Sequence, residues 1–102
     1  MVARVARFAG VNVEEAQRTM EEATAIIRPL VDGLAGYQGQ LDLVTEDGNM
    51  LSVTFFDTDE DAQAAEQTFD EEMPRRLGDL FRSWEGRRVS VDRYMVVTDE
   101  RR

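Results

Sequence analysis

The segment Tyr37-Gln38-Gly39-Gln40-Leu41-Asp42-Leu43-Val44-Thr45-Glu46-Asp47-Gly48-Asn49-Met50-Leu51-Ser52-Val53-Thr54-Phe55-Phe56 decides the fold. Residues 37–45 and 50–56 read as strands. Between them Glu46-Asp47-Gly48-Asn49 has hairpin chemistry, because Gly and Asn tolerate the positive φ that tight turns demand. A tight connection makes the two strands antiparallel neighbours.

Working outward, residues 2–9 read as a short strand ending at Gly10. Asn12 is placed to cap a helix, with Glu15 three residues on completing a capping box. Val13, Ala16, Met20, Ala23, Ile27, Leu30 and Leu34 follow at steps of three and four, which puts them on one helical face. Pro29 keeps the phase of that pattern but predicts a kink or a broken last turn, and Gly33 and Gly36 end the helix. On the other side of the hairpin, Thr58 opens a second helix with Asp61 in the capping-box position and Ala62, Ala65, Phe69 and Met73 as its apolar face. Pro74 stops it and starts a short third helix carrying Leu77, Leu80, Phe81 and Trp84. After Gly86, residues 88–97 form the last strand. The order is βαββαβ with one short extra helix: an α+β, ferredoxin-like fold with a four-stranded antiparallel sheet covered on one face by helices. Residues 1–98 are expected to be a single domain, with residues 99–102 a polar C-terminal tail.

Length and composition narrow the chemistry. A chain of 102 residues suits one domain and buries roughly 60–70% of the surface its unfolded form exposes. Its 42% hydrophobic and 32% charged residues are ordinary globular composition. Twelve basic against twenty-one acidic residues give a net charge of −9, a field that repels nucleic acid and anionic membrane surfaces. All the basic residues are arginine, and cysteine and histidine are absent. Schiff-base lysines, thiolate nucleophiles, Cys/His zinc sites and Ser-His-Asp triads are thereby excluded. Arginines interrupt the apolar start Met1-Val2-Ala3-Arg4-Val5-Ala6-Arg7-Phe8, which does not read as a signal-peptide core. No apolar run approaches the roughly 20 residues that span a bilayer. A cytoplasmic protein is expected.

The strands are apolar on both faces. Leu51, Val53 and Phe55 oppose Met50 and Phe56, while Val89, Val91, Met95 and Val97 oppose Tyr94 and Val96. Helices cover only one face, so the other calls for a partner, and a two-fold pairing of sheets in a homodimer is the simplest one. Arginine stems lying across that face are the alternative cover.

Ser52-Val53-Thr54-Phe55-Phe56-Asp57-Thr58-Asp59-Glu60-Asp61-Ala62 resembles the strand-to-helix passage S-[IV]-T-x-W-x-[ST]-x-E-[DE]-x of the dimeric α+β barrel proteins related to antibiotic biosynthesis monooxygenases. Gly36-Tyr37-Gln38-Gly39 is similar to that family's glycine–aromatic–x–glycine entry to the second strand, and residues 2–8 look like its opening strand. The resemblance implies a dimeric α+β barrel in which two sheets face each other and each monomer keeps a cavity between helices and sheet. Activities in the group include cofactor-free oxygenation of electron-rich aromatics and haem degradation. The haem-degrading branch relies on an Asn in the first strand, a Trp closing the third and a His on the second helix. Here the first strand has no Asn, Phe56 stands at the Trp position, and there is no His. The oxygenase branch also uses Asn, Trp and Tyr in the cavity, so Phe56 departs from it as well.

Two functional readings follow. One is a cofactor-independent monooxygenase acting on a phenolic or quinol-type substrate, needing no metal and no cofactor. Its candidate catalytic residues are Tyr37, Tyr94 and Arg4, with Phe55, Phe56, Phe69, Phe81 and Trp84 lining the pocket. The other is a non-catalytic ligand-binding or structural homodimeric module, in which those bulky rings fill the space. An open cavity reached by two convergent polar groups separates the first from the second. Asp92, on a strand next to the first, is a candidate partner for Arg4 or Arg7. The acidic groups at 57–61 and 70–72 are read as helix-terminus and surface charge rather than a metal site.

Overall fold

The computed structural model describes residues 1–101; Arg102, the end of the expected tail, lies outside them. The chain runs β1 (Val2–Ala9), α1 (Val13–Asp32), β2 (Tyr37–Val44), β3 (Met50–Phe56), α2 (Asp59–Ala64), a π-helical stretch (Thr68–Glu72), α3 (Met73–Trp84) and β4 (Arg87–Met95). The strands form one antiparallel sheet in the order β2-β3-β1-β4. This is the ferredoxin-like arrangement, with the helices on one face.

The local chemistry accounts for the element ends. Asn12 Oδ1 accepts from the Glu15 amide at 3.1 Å, and Thr58 Oγ1 accepts from Asp61 at the same distance. Each satisfies one of the orphan donors of a helix N-terminus. In the hairpin, Thr45 N–H bonds Asn49 O at 2.8 Å, and Gly48 at φ 90° turns the chain. Val11 N–H bonds Gly48 O at 3.0 Å, and a Cβ on Gly48 would stand 2.6 Å from the Val11 carbonyl oxygen. Only glycine fits there.

Three expectations are corrected. Helix α1 passes through Pro29 unbroken to Asp32, so of the two expected outcomes the broken last turn does not occur. Pro29 removes a single bond, the one its N–H would have given to the Ala25 carbonyl four residues back, and only three helical residues follow it. The second helix is not one α-helix running to Pro74: it gives way to the π-helical stretch, where Met73 N–H bonds Thr68 O, five residues back. The next residue, Pro74, has no N–H with which to restore the α pattern. Strand β4 stops at Met95, and Val97 beyond it is exposed.

Register fixes which side chains meet the helices. Four cross-sheet rows face them: Tyr37–Phe56–Val2–Met95, Gln40–Thr54–Arg4–Arg93, Asp42–Ser52–Ala6–Val91 and Val44–Met50–Phe8–Arg88. Phe56 is fully buried, with Tyr37 and Phe69 edge-on to its ring at 6.3 and 6.4 Å. Burying a ring of this kind stabilises by about 1.5–3 kcal/mol. Leu77, Val31, Ala23, Ala16 and Trp84 pack at the other end of the helical layer.

The opposite face has no helices. Leu41, Leu43, Leu51, Val53, Phe55, Ala3, Val5 and Tyr94 point to it by register, and Leu43 is 50% exposed. On β4 this face carries Ser90, Asp92 and Tyr94; Val91 turns to the helices, opposite Ala6. The apolar band is therefore concentrated on β1, β2 and β3. The Arg101 guanidinium stands 5.1 Å over the Phe55 ring, so one arginine of the tail does lie on this face.

Candidate functional site

A cavity of about 220 Å³ lies between the helices and the sheet. Its origin is visible in the rows. The end rows carry Phe56, Tyr37, Phe8 and Met50, whereas the row Asp42–Ser52–Ala6 has short side chains at its centre. Long side chains at both ends prop the helices away from a floor that is low in the middle. Met20 and Ile27 of α1, Phe69 of the π-helical stretch, and Met73, Phe81 and Trp84 of α3 form the roof. The volume exceeds the roughly 150 Å³ of a cavity that admits benzene and falls below the roughly 300 Å³ at which pockets for larger ligands begin.

Trp84 is held rigidly in this wall. Its Nε1–H donates to Thr19 Oγ1 at 2.7 Å, and that hydroxyl donates to the Glu15 carbonyl at 2.8 Å. Its ring tilts against Phe81 at 5.3 Å between centroids.

The charged groups in the lining are mostly matched. Arg4, only 3% exposed, donates Nε and Nη2 to the two carboxylate oxygens of Glu66 at 2.9 and 3.2 Å. Its guanidinium also lies 4.1 Å from the centre of the Phe69 ring. Arg88 pairs with Asp70 at 2.8 Å. Gln40 donates its amide Nε2 to Asp42, 3.1 Å from the nearer oxygen, but its Oε1 is buried with no hydrogen-bond partner. Thr54 Oγ1, in the same row, is likewise buried and unpartnered. Gln40, Asp42 and Ile27 also border a second, more polar hollow of about 240 Å³ that contains Tyr37.

The candidates named from sequence are thus divided among four places. Arg4, Phe69, Phe81 and Trp84 surround the main cavity. Tyr37 borders the neighbouring hollow, where burial first, and then the Asp32 and Asp42 charges, hold its phenol above the usual value against the opposing effect of Arg28. Phe56, in the end row, lies in the solid core rather than in the lining. Phe55 and Tyr94 point to the open face of the sheet, because successive strand residues alternate sides. Tyr37 and Tyr94 therefore cannot converge on one ligand in this subunit. Asp92 is opposite Val5 on the open face, one residue out of phase with Arg4, which explains why Glu66 takes the pairing instead. The expected surface role of the acidic groups agrees with their contacts: Asp59 pairs with Arg93 and Asp70 with Arg88.

Gln40, Asp42, Ser52 and Arg88 escaped sequence reasoning. A signal was present for the first two: polar residues two apart on a strand, sharing the side that the helices cover. Glu66 left no comparable trace, since its meeting with Arg4 spans 62 residues.

No family model matches the chain, and no curated protein matches it. Solved structures do. A dimeric ferredoxin-like protein from an uncultured marine organism superposes with a TM-score of 0.70 at 16% identity, covering all of both chains. A protein from Bordetella bronchiseptica, named as a candidate antibiotic biosynthesis monooxygenase, gives 0.68 at 15% identity over 95% of this chain and 97% of that one. A similarly named protein from Deinococcus radiodurans gives 0.63 at 12% identity over 99% and 97%. At such identities the likeness is one of fold: the chain has the ferredoxin-like architecture found in proteins of the antibiotic biosynthesis monooxygenase type.

Proposed function

We propose that the protein is a homodimer that binds a small aromatic ligand in the cavity of each subunit. The observation that carries this reading is the hollow itself: a mostly apolar chamber of about 220 Å³ with Arg4, Gln40, Asp42, Ser52 and Arg88 entering it. A few fixed polar groups in an apolar cleft are the usual makings of a small-molecule site. The dimer is supported by the uncovered band Leu41–Leu43–Leu51–Val53–Phe55 and by the dimeric state named for the marine protein of the same fold. In the dimer Tyr94 and Phe55 belong to the sheet-to-sheet contact. No helix among the described residues is long and apolar enough to cross a membrane, and the net charge of −9 disfavours nucleic acid as a partner.

The sharper form of the reading is cofactor-independent oxygenation of a phenol with a free para position. The phenolate passes an electron to O₂, and the two radicals combine in a C–O bond. The hydroperoxide so formed loses water and leaves a quinone. One oxygen atom stays in the product; the other departs with the phenolic and ring hydrogens, so no external reductant is consumed. The protein would contribute orientation, exclusion of water and a hydrogen bond to the oxyanion, with Arg4 at the floor as the charged group nearest to that task. The non-catalytic alternative draws support from the pairing of Arg4 with Glu66 and of Arg88 with Asp70, so that both arginines of the cavity lining are already engaged.

One experiment separates the readings. One- and two-ring phenols and hydroquinones are titrated while quenching of the single Trp84 is followed, and oxygen uptake and quinone absorbance are then recorded. Saturable quenching with stoichiometric oxygen consumption supports the oxygenase. Saturable quenching without it supports the binding module. No quenching by any of them refutes the ligand cavity.

A further inference from the structure

We infer that the cavity selects a neutral, hydroxyl-bearing ligand of one or two rings, with Gln40 Oε1 accepting the hydroxyl hydrogen. The inference rests on the ligand-cavity reading and names its substrate class.

Gln40 stands in the wall between the main cavity and the hollow beside it. Its amide orientation is fixed by chemistry: the nitrogen faces both oxygens of Asp42, at 3.1 and 3.4 Å, where an amide oxygen would be repelled. The oxygen must then point the other way, and there it is buried without a donor. An unpaired buried acceptor is costly, and most such groups in folded proteins are satisfied. Thr54 Oγ1 lies in the adjoining position of the same row, also without a partner. Thr54 is fully buried and does not line the chamber, so Gln40, which does, carries the one unpartnered acceptor that a ligand could reach. Gln40 is half-buried and lines the chamber, so a ligand seated there stands beside its amide.

Charge argues against a carboxylate ligand. The two cavity arginines are already paired with Glu66 and Asp70, and Asp42, at the exposed rim, adds a negative charge that forms no ion pair among the described residues. A ligand anion would meet Asp42 without gaining a free guanidinium. The volume, between a benzene-sized void and a drug-sized pocket, sets the upper limit at about two fused rings.

Isothermal titration with three probes tests this. 1-Naphthol should bind about tenfold tighter than 1-methoxynaphthalene, which keeps the rings but cannot donate and leaves Oε1 unpaired. 1-Naphthoate should bind more weakly than either. In Gln40→Leu the advantage of naphthol over its methyl ether should fall to about one, because the acceptor is gone. The ligand series is read on the unaltered protein, so a poorly folded variant does not spoil the test. A naphthol advantage under about threefold, or one that survives in Gln40→Leu, overturns the inference and leaves the cavity reading standing. Preference for naphthoate overturns it as well. Failure of all three probes to bind overturns both.

Discussion

Replacing Glu66 with leucine leaves the Arg4 guanidinium 3% exposed and without its counter-charge. Removing one partner of a fully buried ion pair costs about 3–5 kcal/mol. Glu66 is 30% exposed, so water already screens its side of the contact, and the figure falls to about 2–3 kcal/mol. For a domain of this length each kcal/mol moves Tm by about 4–8 °C, giving a drop of about 10–20 °C. The reverse change, Arg4→Met, strands a carboxylate that can turn to solvent and forfeits the contact with the Phe69 ring, a loss of about 1 kcal/mol. The double variant Arg4→Met/Glu66→Leu should return to within about 1 kcal/mol of the parent, because an apolar pair replaces an ionic one. Urea unfolding followed by Trp84 fluorescence measures all three, at one protein concentration since association adds to stability. The reasoning fails if Arg4→Met is as damaging as Glu66→Leu, or if Glu66→Leu costs less than about 1 kcal/mol.

The other expected outcomes concern the chamber, the open face, the half-buried phenol and the hairpin. Ala6→Leu fills the low centre of the floor: urea unfolding should show equal or greater stability while calorimetric binding of 1-naphthol is lost, and retained binding would move the ligand site elsewhere. Leu43→Glu puts a charge in the exposed apolar band and should convert a dimer to monomers at micromolar concentration in analytical ultracentrifugation, with the circular dichroism of the fold unchanged. Burial and neighbouring carboxylates raise the Tyr37 pKa, so its contribution to stability is present below the unfolded value of about 10 and is lost as pH rises through the higher folded value. Absorbance titration near 295 nm should show a late-ionising phenol that Tyr37→Phe abolishes. Gly48→Ala forces a Cβ against the Val11 carbonyl at positive φ and should lower stability by about 2 kcal/mol or more in urea melts.

Much of the architecture was legible because it is written in local chemistry. The Asn12 and Thr58 caps, the Gly48 turn and the three-and-four spacing from Val13 to Leu34 each act within a few residues. The π-helical stretch was not legible, for it depends on how the Pro74 defect is absorbed upstream. Among the candidate site residues, the division of Tyr37 from Tyr94 and of Phe55 from Phe56 turned on register. A single residue of phase decides the side of the sheet, and the bulge after Tyr37 shifts the pairing of β2 by one. Composition alone suggested that five bulky rings would crowd the space. Alternation sends Phe55 to the far face and the end row takes Phe56, which leaves the middle unfilled.

That unfilled middle has an energetic meaning. A sealed apolar void costs about 24 cal/mol per Å³, and this chamber, open to solvent beside Asp42 and Arg88, carries only the part of that cost that falls on its apolar walls. Total stability for a small domain is about 5–15 kcal/mol, and 102 residues bury proportionately little surface to begin with. Water at the exposed rim, beside Asp42 and Arg88, reduces the cost but cannot solvate the Phe69, Phe81 and Trp84 walls well. Lengthening Ala6 or Ser52 would be the simplest remedy, since both sit at the centre of the floor. The sequence instead keeps short side chains there and places polar atoms without partners in the adjoining row. The empty space and the unpartnered Gln40 Oε1 are both unfavourable in the empty protein, and one kind of event relieves both: entry of an apolar ring that carries a hydroxyl.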